Sequence, residues 1–154
     1  MKLEHTGTLA ADLIRAIERS SDVTTAMTHA VAMLKARLPH YTWVGIYLIE
    51  GDELVLGPYL GMPSPHTRIP LNRGICGAAA SEKATIVVDD VNSDPRYLAC
   101  SLETKSEIVV PIMRGDAVLG EIDIDSDQKA AFGGADRDLL EATAAALAKR
   151  FPTS

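Results

Sequence analysis

The sequence predicts an α+β fold in which a largely antiparallel central sheet is flanked by N-terminal and C-terminal helices. Apolar residues follow a helical spacing near both ends of the chain, and the middle contains short β-rich runs separated by turn residues. The 154 residues include 47% hydrophobic and 23% charged side chains, a composition typical of a chain that buries a core. We therefore expect one domain spanning residues 1–154.

Two helices are predicted within residues 1–39. The first has apolar residues at helical spacing and ends near Asp22, where that residue or a neighbouring serine would cap the second helix. The second helix is stopped by Pro39, which cannot continue a helix. The apolar stripe of this second helix consists of Met27, Val31 and Leu34. It is interpreted as part of the domain core, and the alternative is that it pairs with a second copy of the chain in a homodimer.

Residues 41–132 are predicted to form the sheet and the loops around a pocket. The runs 42–49 and 53–60 flank three turn residues and indicate a hairpin, and a second hairpin turns at 114–116. Between the hairpins, glycines around Cys76 predict a turn that holds the cysteine and leads into a short helix. A final helix is expected at 135–151, with acidic residues early and basic residues late, which suits the helix dipole.

The second hairpin carries an unusual concentration of acids. A three-residue turn at 114–116 would place Glu107 directly opposite Asp123. Strand side chains alternate, so Glu121, Asp123 and Asp125 share one face of their strand. This face is either solvated, with weak repulsion through water, or a concave site. In a concave site, crowding would raise the pKa of one carboxyl while another binds a cationic group.

The two cysteines, Cys76 and Cys100, do not form a zinc-binding pattern, and the four histidines lack ligand spacing, so no metal site is expected. A cysteine in such a chain is most often a small buried hydrophobe. Cys100, however, shortly precedes Glu107 and the acidic strands. A thiolate beside an acid that protonates oxygen is suited to reducing an S–O bond, and a second thiol can resolve the resulting sulfenic acid.

The charge and hydropathy of the chain exclude several classes of partner. A net charge of −6 argues against nucleic acid and anionic membranes, which attract basic patches. No apolar run approaches the roughly 20 residues that span a bilayer. The first residues also lack the apolar core of a secretory signal, so the cytoplasm is the expected location.

Six blocks along the chain resemble the free methionine-(R)-sulfoxide reductases, a branch of the GAF domain superfamily. The blocks are "WVGIYLI…ELVLGPYLG" (43–61), "RIPLNRGICG" (68–77), "VDDV" (88–91), "LACS" (98–101), "SEIVVPI" (106–112) and "GEIDIDS" (120–126). This resemblance implies a GAF-like fold. It also implies thiol-dependent reduction of free methionine-(R)-sulfoxide through a cysteine sulfenic acid and an intramolecular disulfide, without an organic cofactor.

The same resemblance implies roles for particular residues. Cys100 matches the nucleophilic cysteine and Cys76 a resolving cysteine. Glu107, Asp123 and Asp125 match acids that hold the substrate's ammonium and sulfoxide groups, and Glu107 or Asp125 would supply the proton. A thioredoxin-like dithiol would restore the thiols.

The resemblance extends to the pocket wall and includes two departures. Trp43 and Tyr47 match aromatics of the substrate cavity, although Tyr47 could equally be ordinary core. His66 stands where the family commonly has a third cysteine, and Ser101 stands where an acid usually follows the nucleophile. The alternative function is a non-catalytic GAF sensor that binds a small ligand and signals through a partner.

Overall fold

The computed structural model describes residues 2–98 and 103–153, with side chains described from Thr8 onward. Its centre is one six-stranded antiparallel sheet in the order β3-β2-β1-β6-β5-β4. The strands are β1 (Trp43–Glu50), β2 (Glu53–Leu60), β3 (Arg68–Pro70), β4 (Ile86–Val88), β5 (Ser106–Arg114) and β6 (Ala117–Ser126). The predicted α+β class, its antiparallel sheet and both hairpins are confirmed.

Three helices cover one face of this sheet. They are α1 (Lys2–Arg19), α2 (Val23–Arg37) and α4 (Gly134–Ala148), and their apolar stripes share one core with β1, β5 and β6. The predicted cap is present, since the Asp22 side chain accepts a hydrogen bond from the backbone N–H of Thr25 at 2.8 Å. Met27, Val31 and Leu34 are buried within this chain, as the core interpretation expects.

The other face of the sheet carries α3 (Gly74–Glu82) and a smaller apolar cluster. The predicted loop position of Cys76 is wrong, because the cysteine lies in the first turn of α3 and is buried. Gly74 begins this helix with φ +73, a left-handed conformation that glycine tolerates. Because glycine is typical of turns, the sequence did not indicate that a helix begins at this residue. The thiol is thus held on the sheet by a helix.

The register of the β5–β6 hairpin corrects the predicted pairing. Glu107 faces Asp125, and Asp123 faces Val109. Arg114 pairs with Ala117, so the turn has two residues, and Leu119 is an extra residue between the pairs Met113–Val118 and Ile112–Gly120. A two-residue turn alone would have moved Glu107 to the opposite face. The bulge at Leu119 reverses that change, and the acids share one face as predicted.

Among the helices in the described part of the chain, none combines the length and hydropathy that crossing a bilayer requires.

Candidate active site

A row of acids lies on the sheet face that α3 covers. Its residues alternate along β6 with the apolar residues of the helix-covered face. On one side, β1 pairs with these acids in antiparallel register, Trp43 with Asp125, Gly45 with Asp123 and Tyr47 with Glu121; on the other side, β5 contributes Glu107. The acids are Glu121, Asp123 and Asp125. Antiparallel pairing of three strands therefore concentrates four carboxyl groups on one surface.

These carboxyl groups are buried and are hydrogen bonded to one another only in part. Asp125 and Asp123 each share a hydrogen bond with Glu107, and a hydrogen bond between carboxyl groups requires a proton between them. Glu121 is 0% exposed, and neither of its carboxylate oxygens has a hydrogen-bond partner among the residues that the structure describes. Asp123 Oδ1 and Asp125 Oδ1 are likewise buried without a partner. The site therefore has acceptor atoms available for a cationic group.

Burial sets the protonation of this acid row. It raises the pKa of Glu121 and Asp125 well above their ordinary values, and the charge of Asp123 adds to both shifts. Burial also raises the pKa of Asp123, while the hydrogen bonds from Glu107 and Cys76 act in the opposite direction. A carboxyl group whose pKa is raised holds its proton to a higher pH than an ordinary carboxyl group, which suits it to proton donation, as the concave-site hypothesis requires.

Cys76 reaches the acid row from α3. It is 5% exposed, and its thiol donates a hydrogen bond to Asp123. Burial is the main cause that raises the pKa of this thiol well above its usual range, and the surrounding carboxylates add to the shift. Cys76 is thus held as a protonated thiol, with a carboxyl group in position to take its proton.

Two aromatic side chains from β1 stand beside the acids. The Trp43 indole lies over Gly45, where an added Cβ would come within 2.3 Å of the ring, and its Nε1 donates to the carbonyl of Met62 at 2.9 Å. The Tyr47 hydroxyl donates to the carbonyl of His66 at 2.7 Å. The two ring centroids are 6.5 Å apart. Both rings are fixed by hydrogen bonds to the loop between β2 and β3. We call these two rings, Trp43 and Tyr47, the aromatic wall of the site.

Two cavities adjoin the acid row. One, of about 50 Å³, has Trp43, Met62, Glu103, Asp125 and Asp127 in its lining. The other, of about 20 Å³, is lined within the described part of the chain by Tyr47, His66, Ile69, Gly74, Ile75, Cys76, Leu98, Glu107 and Asp123. The hydrogen-bonded pair Glu107–Asp125 thus contributes one carboxyl to each cavity.

The structure brings six of the seven predicted site residues to this face, and the seventh, Cys100, lies outside the described residues. Glu121 was predicted to share the face of Asp123 but was assigned no role. It is completely buried, and it pairs with Tyr47 on β1 and Pro111 on β5. His66, noted only as a departure, contributes its carbonyl to the aromatic wall. Loop carbonyls give no sequence signal, because every residue has one.

The fold and the buried site on the α3 side define the class of protein. The GAF domain family matches residues 22–151, and the chain belongs to it. Within that class it is a member of the free methionine-R-sulfoxide reductase family.

Three relatives document this membership. The free methionine-R-sulfoxide reductase of Saccharomyces cerevisiae is 39% identical over 133 residues, covering 84% of this chain and 72% of the relative. That of Escherichia coli is 35% identical over 128 residues, covering 83% and 77%. The Neisseria meningitidis enzyme, solved in complex with its substrate, superposes with a TM-score of 0.93 at 35% identity, covering 98% of this chain and 90% of that one.

Proposed function

We propose that this protein reduces free L-methionine-(R)-sulfoxide to methionine with electrons from an external dithiol. The observation that carries the proposal is the buried acid row beside two fixed aromatic rings, found in a chain similar to free methionine-R-sulfoxide reductases. Unpartnered buried carboxylate oxygens favour a ligand that brings its own positive charge.

The substrate's ammonium group would bind among Glu107, Asp123 and Asp125. An ammonium donates up to three hydrogen bonds, and Asp123 Oδ1 and Asp125 Oδ1 are acceptors without partners. The methylthio group would contact Trp43 and Tyr47. A methionine within a peptide has an amide in place of the ammonium, so it lacks the charge that these acids attract.

The first chemical step is the transfer of oxygen from the substrate to Cys100. The thiolate of Cys100 attacks the sulfoxide sulfur, and a carboxyl group, Glu107 or Asp125, protonates the oxygen as the S–O bond weakens. Methionine leaves, and Cys100 becomes a sulfenic acid. Asp125 suits this role because burial raises its pKa and keeps a proton available.

The second step consumes the sulfenic acid. Cys76 attacks the sulfur of the Cys100 sulfenic acid, which forms a disulfide and releases water. The Cys76 thiol must lose a proton to attack, and its hydrogen-bond partner Asp123 is the acceptor in reach. A thioredoxin-like dithiol then reduces the disulfide. The net reaction converts one sulfoxide and one dithiol into methionine, water and one disulfide.

A turnover assay tests this proposal. The reduced protein is incubated with free methionine-(R)-sulfoxide and dithiothreitol, and methionine is quantified by chromatography. We expect turnover with the R epimer and none with N-acetylmethionine-(R)-sulfoxide, which has no ammonium. Binding of the free sulfoxide without methionine formation would overturn the proposal and indicate a sensor.

Variants separate the roles of the residues. Cys100→Ser should abolish methionine formation. Cys76→Ser should still produce about one methionine per chain in a single turnover without reductant, because only the second step needs that thiol. Asp123→Asn should lower kcat/KM by about 100-fold, the scale of a lost charge-assisted contact. The matched control is Asp138→Asn, an exposed acid on α4 and therefore on the other side of the sheet, which should behave as the parent protein does.

A further inference from the structure

Three potential metal ligands meet at the inner edge of the acid row. They are the Sγ of Cys76, a carboxylate oxygen of Glu107 and a carboxylate oxygen of Asp123, and they all lie within 4.8 Å of one another. Each comes from a different element, α3, β5 and β6, and all three residues are buried. Because the ligands are remote in sequence, spacing rules for zinc sites could not detect them.

A second observation concerns a hydrogen-bond acceptor that the described residues leave unfilled. Asp123 lines the second cavity together with Cys76 and Glu107, and its buried Oδ1 has no hydrogen-bond partner among the described residues. Asp125 Oδ1, next along the acid row, is in the same condition. A buried carboxylate oxygen without a donor is costly, and a cation is one of the few groups that remove this cost for several carboxylates together.

From this geometry we infer that the reduced protein binds a thiophilic divalent cation of the Zn²⁺ class through Cys76, Glu107 and Asp123. One sulfur and two oxygens match the ligand preferences of Zn²⁺ and Co²⁺ and disfavour Mg²⁺ and Ca²⁺, which prefer oxygen alone. Metal–sulfur bonds of about 2.3 Å and metal–oxygen bonds of about 2.1 Å place tetrahedral ligand atoms about 3.5 Å apart, so ligand atoms within 4.8 Å of one another need to approach by at most about 1.3 Å. Three protein ligands leave a fourth tetrahedral position open to the cavity.

Binding of the cation changes the charge and the protons of the site. The thiol releases its proton when sulfur coordinates the metal, and any proton shared by Glu107 and Asp123 leaves with it. The divalent charge then offsets the carboxylates that otherwise repel one another. A further consequence rests on the proposed function. The cation and the substrate's ammonium group both use the carboxylates of Glu107 and Asp123, so binding of one excludes the other.

Cobalt titration tests the site without measuring turnover. The Cys100→Ser variant, which contains Cys76 as its only thiol, is reduced, freed of reductant and titrated with Co²⁺ alone. We expect a thiolate-to-cobalt charge-transfer band in the near ultraviolet that saturates at one equivalent. Adding Zn²⁺ should remove the band, and Mg²⁺ in large excess should not.

Substitutions within that variant identify the ligands. Cys76→Ser should abolish the band, and Asp123→Asn or Glu107→Gln should each weaken cobalt affinity by at least about tenfold, as loss of one ligand predicts. The matched control Asp138→Asn, on the exposed side of α4, should leave the affinity unchanged. Far-ultraviolet circular dichroism confirms that each variant is folded, and Glu107→Gln alone suffices for the test if the Cys76 variant does not fold.

Three results would overturn the inference: no band at one equivalent, a band of unchanged affinity after Glu107→Gln and Asp123→Asn, or Mg²⁺ competing as well as Zn²⁺. Titration of the cobalt complex with free methionine-(R)-sulfoxide tests the mutual exclusion separately. The sulfoxide should weaken apparent cobalt affinity by at least tenfold. An unchanged affinity would disprove shared ligands in substrate binding, whereas the metal site would fail only by the first three results.

Discussion

The two faces of β6 present opposite environments from consecutive residues of one strand. Ile122 and Ile124 point into the core beneath the helices, and Glu121, Asp123 and Asp125 point toward α3. Both sets are buried, so exposure does not distinguish them. They differ in what surrounds them: apolar side chains on one face, and carboxyl groups, a thiol and two aromatic rings on the other.

Polar groups under the helices have partners, and this sharpens the contrast. Tyr41 is fully buried, and its hydroxyl donates to Asp136 Oδ1 at 2.7 Å. The other oxygen of Asp136 accepts the backbone N–H of Gly133 at 2.9 Å at the start of α4. On the acid face, by contrast, four carboxylate oxygens of Glu121, Asp123 and Asp125 have no hydrogen-bond partner within the described part of the chain. The helix-covered face satisfies its buried polar groups and stabilises the fold. The acid face leaves buried hydrogen-bond acceptors without donors, and a ligand that supplies donors or positive charge would satisfy them.

The largest effect should follow from making the helix-covered face resemble the acid face. Ile124→Asp would bury an unpartnered carboxyl among apolar side chains, and we expect a loss of about 3–5 kcal/mol in the free energy of unfolding, enough to unfold a marginal domain. Urea denaturation followed by circular dichroism measures it. The control Ile124→Val should cost only about 0.5–1.5 kcal/mol. Similar costs for both substitutions would show that the helix-covered face tolerates charge.

A smaller loss is expected when the aromatic wall of the acid face is disturbed. A methyl group at Gly45 would lie 2.3 Å from the Trp43 ring, so Gly45→Ala must displace the indole, at a cost of about 1–3 kcal/mol. Trp43 is the only tryptophan, so a red shift of its fluorescence reports the displacement directly. At Gly134 an added methyl group meets nothing within 4 Å, and Gly134→Ala should leave the emission unchanged. An unshifted emission in Gly45→Ala would contradict the packing described for the indole.

Making the acid face resemble the helix-covered face should stabilise the protein. Glu121→Met removes a fully buried carboxyl that has no hydrogen-bond partner, and we expect a gain of about 1–2 kcal/mol at pH 7. Thermal denaturation at several pH values measures this gain. The comparison is Glu121→Gln, which removes the charge but keeps a buried polar group and should gain less.

The pH dependence of that gain follows from the direction of the pKa shift. Folding raises the pKa of Glu121 above its unfolded value of about 4.3, so the folded state binds a proton that the unfolded chain releases. In the parent protein, the contribution of Glu121 to the free energy of unfolding is fully present below about pH 4 and is lost as the pH rises through the folded pKa. The advantage of Glu121→Met should therefore shrink as the pH falls toward 4. A gain independent of pH would show that Glu121 does not titrate in this range.

The smallest effect concerns the helix layer alone. Asp22→Ala removes the acceptor for the Thr25 N–H at the start of α2 and should lower the melting temperature slightly. Asp22→Asn keeps an acceptor at that position and should preserve most of the stability. Because the hydrogen bond lowers the pKa of Asp22, its contribution is present above the unfolded pKa of about 3.9 and is lost as pH falls through the lower, folded value. Identical melting curves for the two variants would contradict a capping role.

The sequence predicted the elements of the fold and the membership of the acid face, and it failed at two local details. Alternation along β6 is a short-range property, so Glu121, Asp123 and Asp125 could be placed on one face by counting alone. The exact opposition of Glu107 could not be predicted, because the bulge at Leu119 has no distinctive residue. The place of Cys76 in a helix was missed because two flanking glycines indicate a turn, whereas packing on the sheet stabilises the helix.

The bulge at Leu119 also limits how the chain can change in length. Side chains alternate between the two faces of a strand, so Glu107 and Asp125 lie on the same face only because the extra residue at Leu119 compensates for the two-residue turn. Gaining or losing one amino acid within either paired strand would exchange carboxyl groups with isoleucines on the α3 side, whereas a change of two would not. Natural or engineered variants should therefore change the length of these strands by even numbers, whereas the turn, which lies outside the ladder, can absorb a single residue.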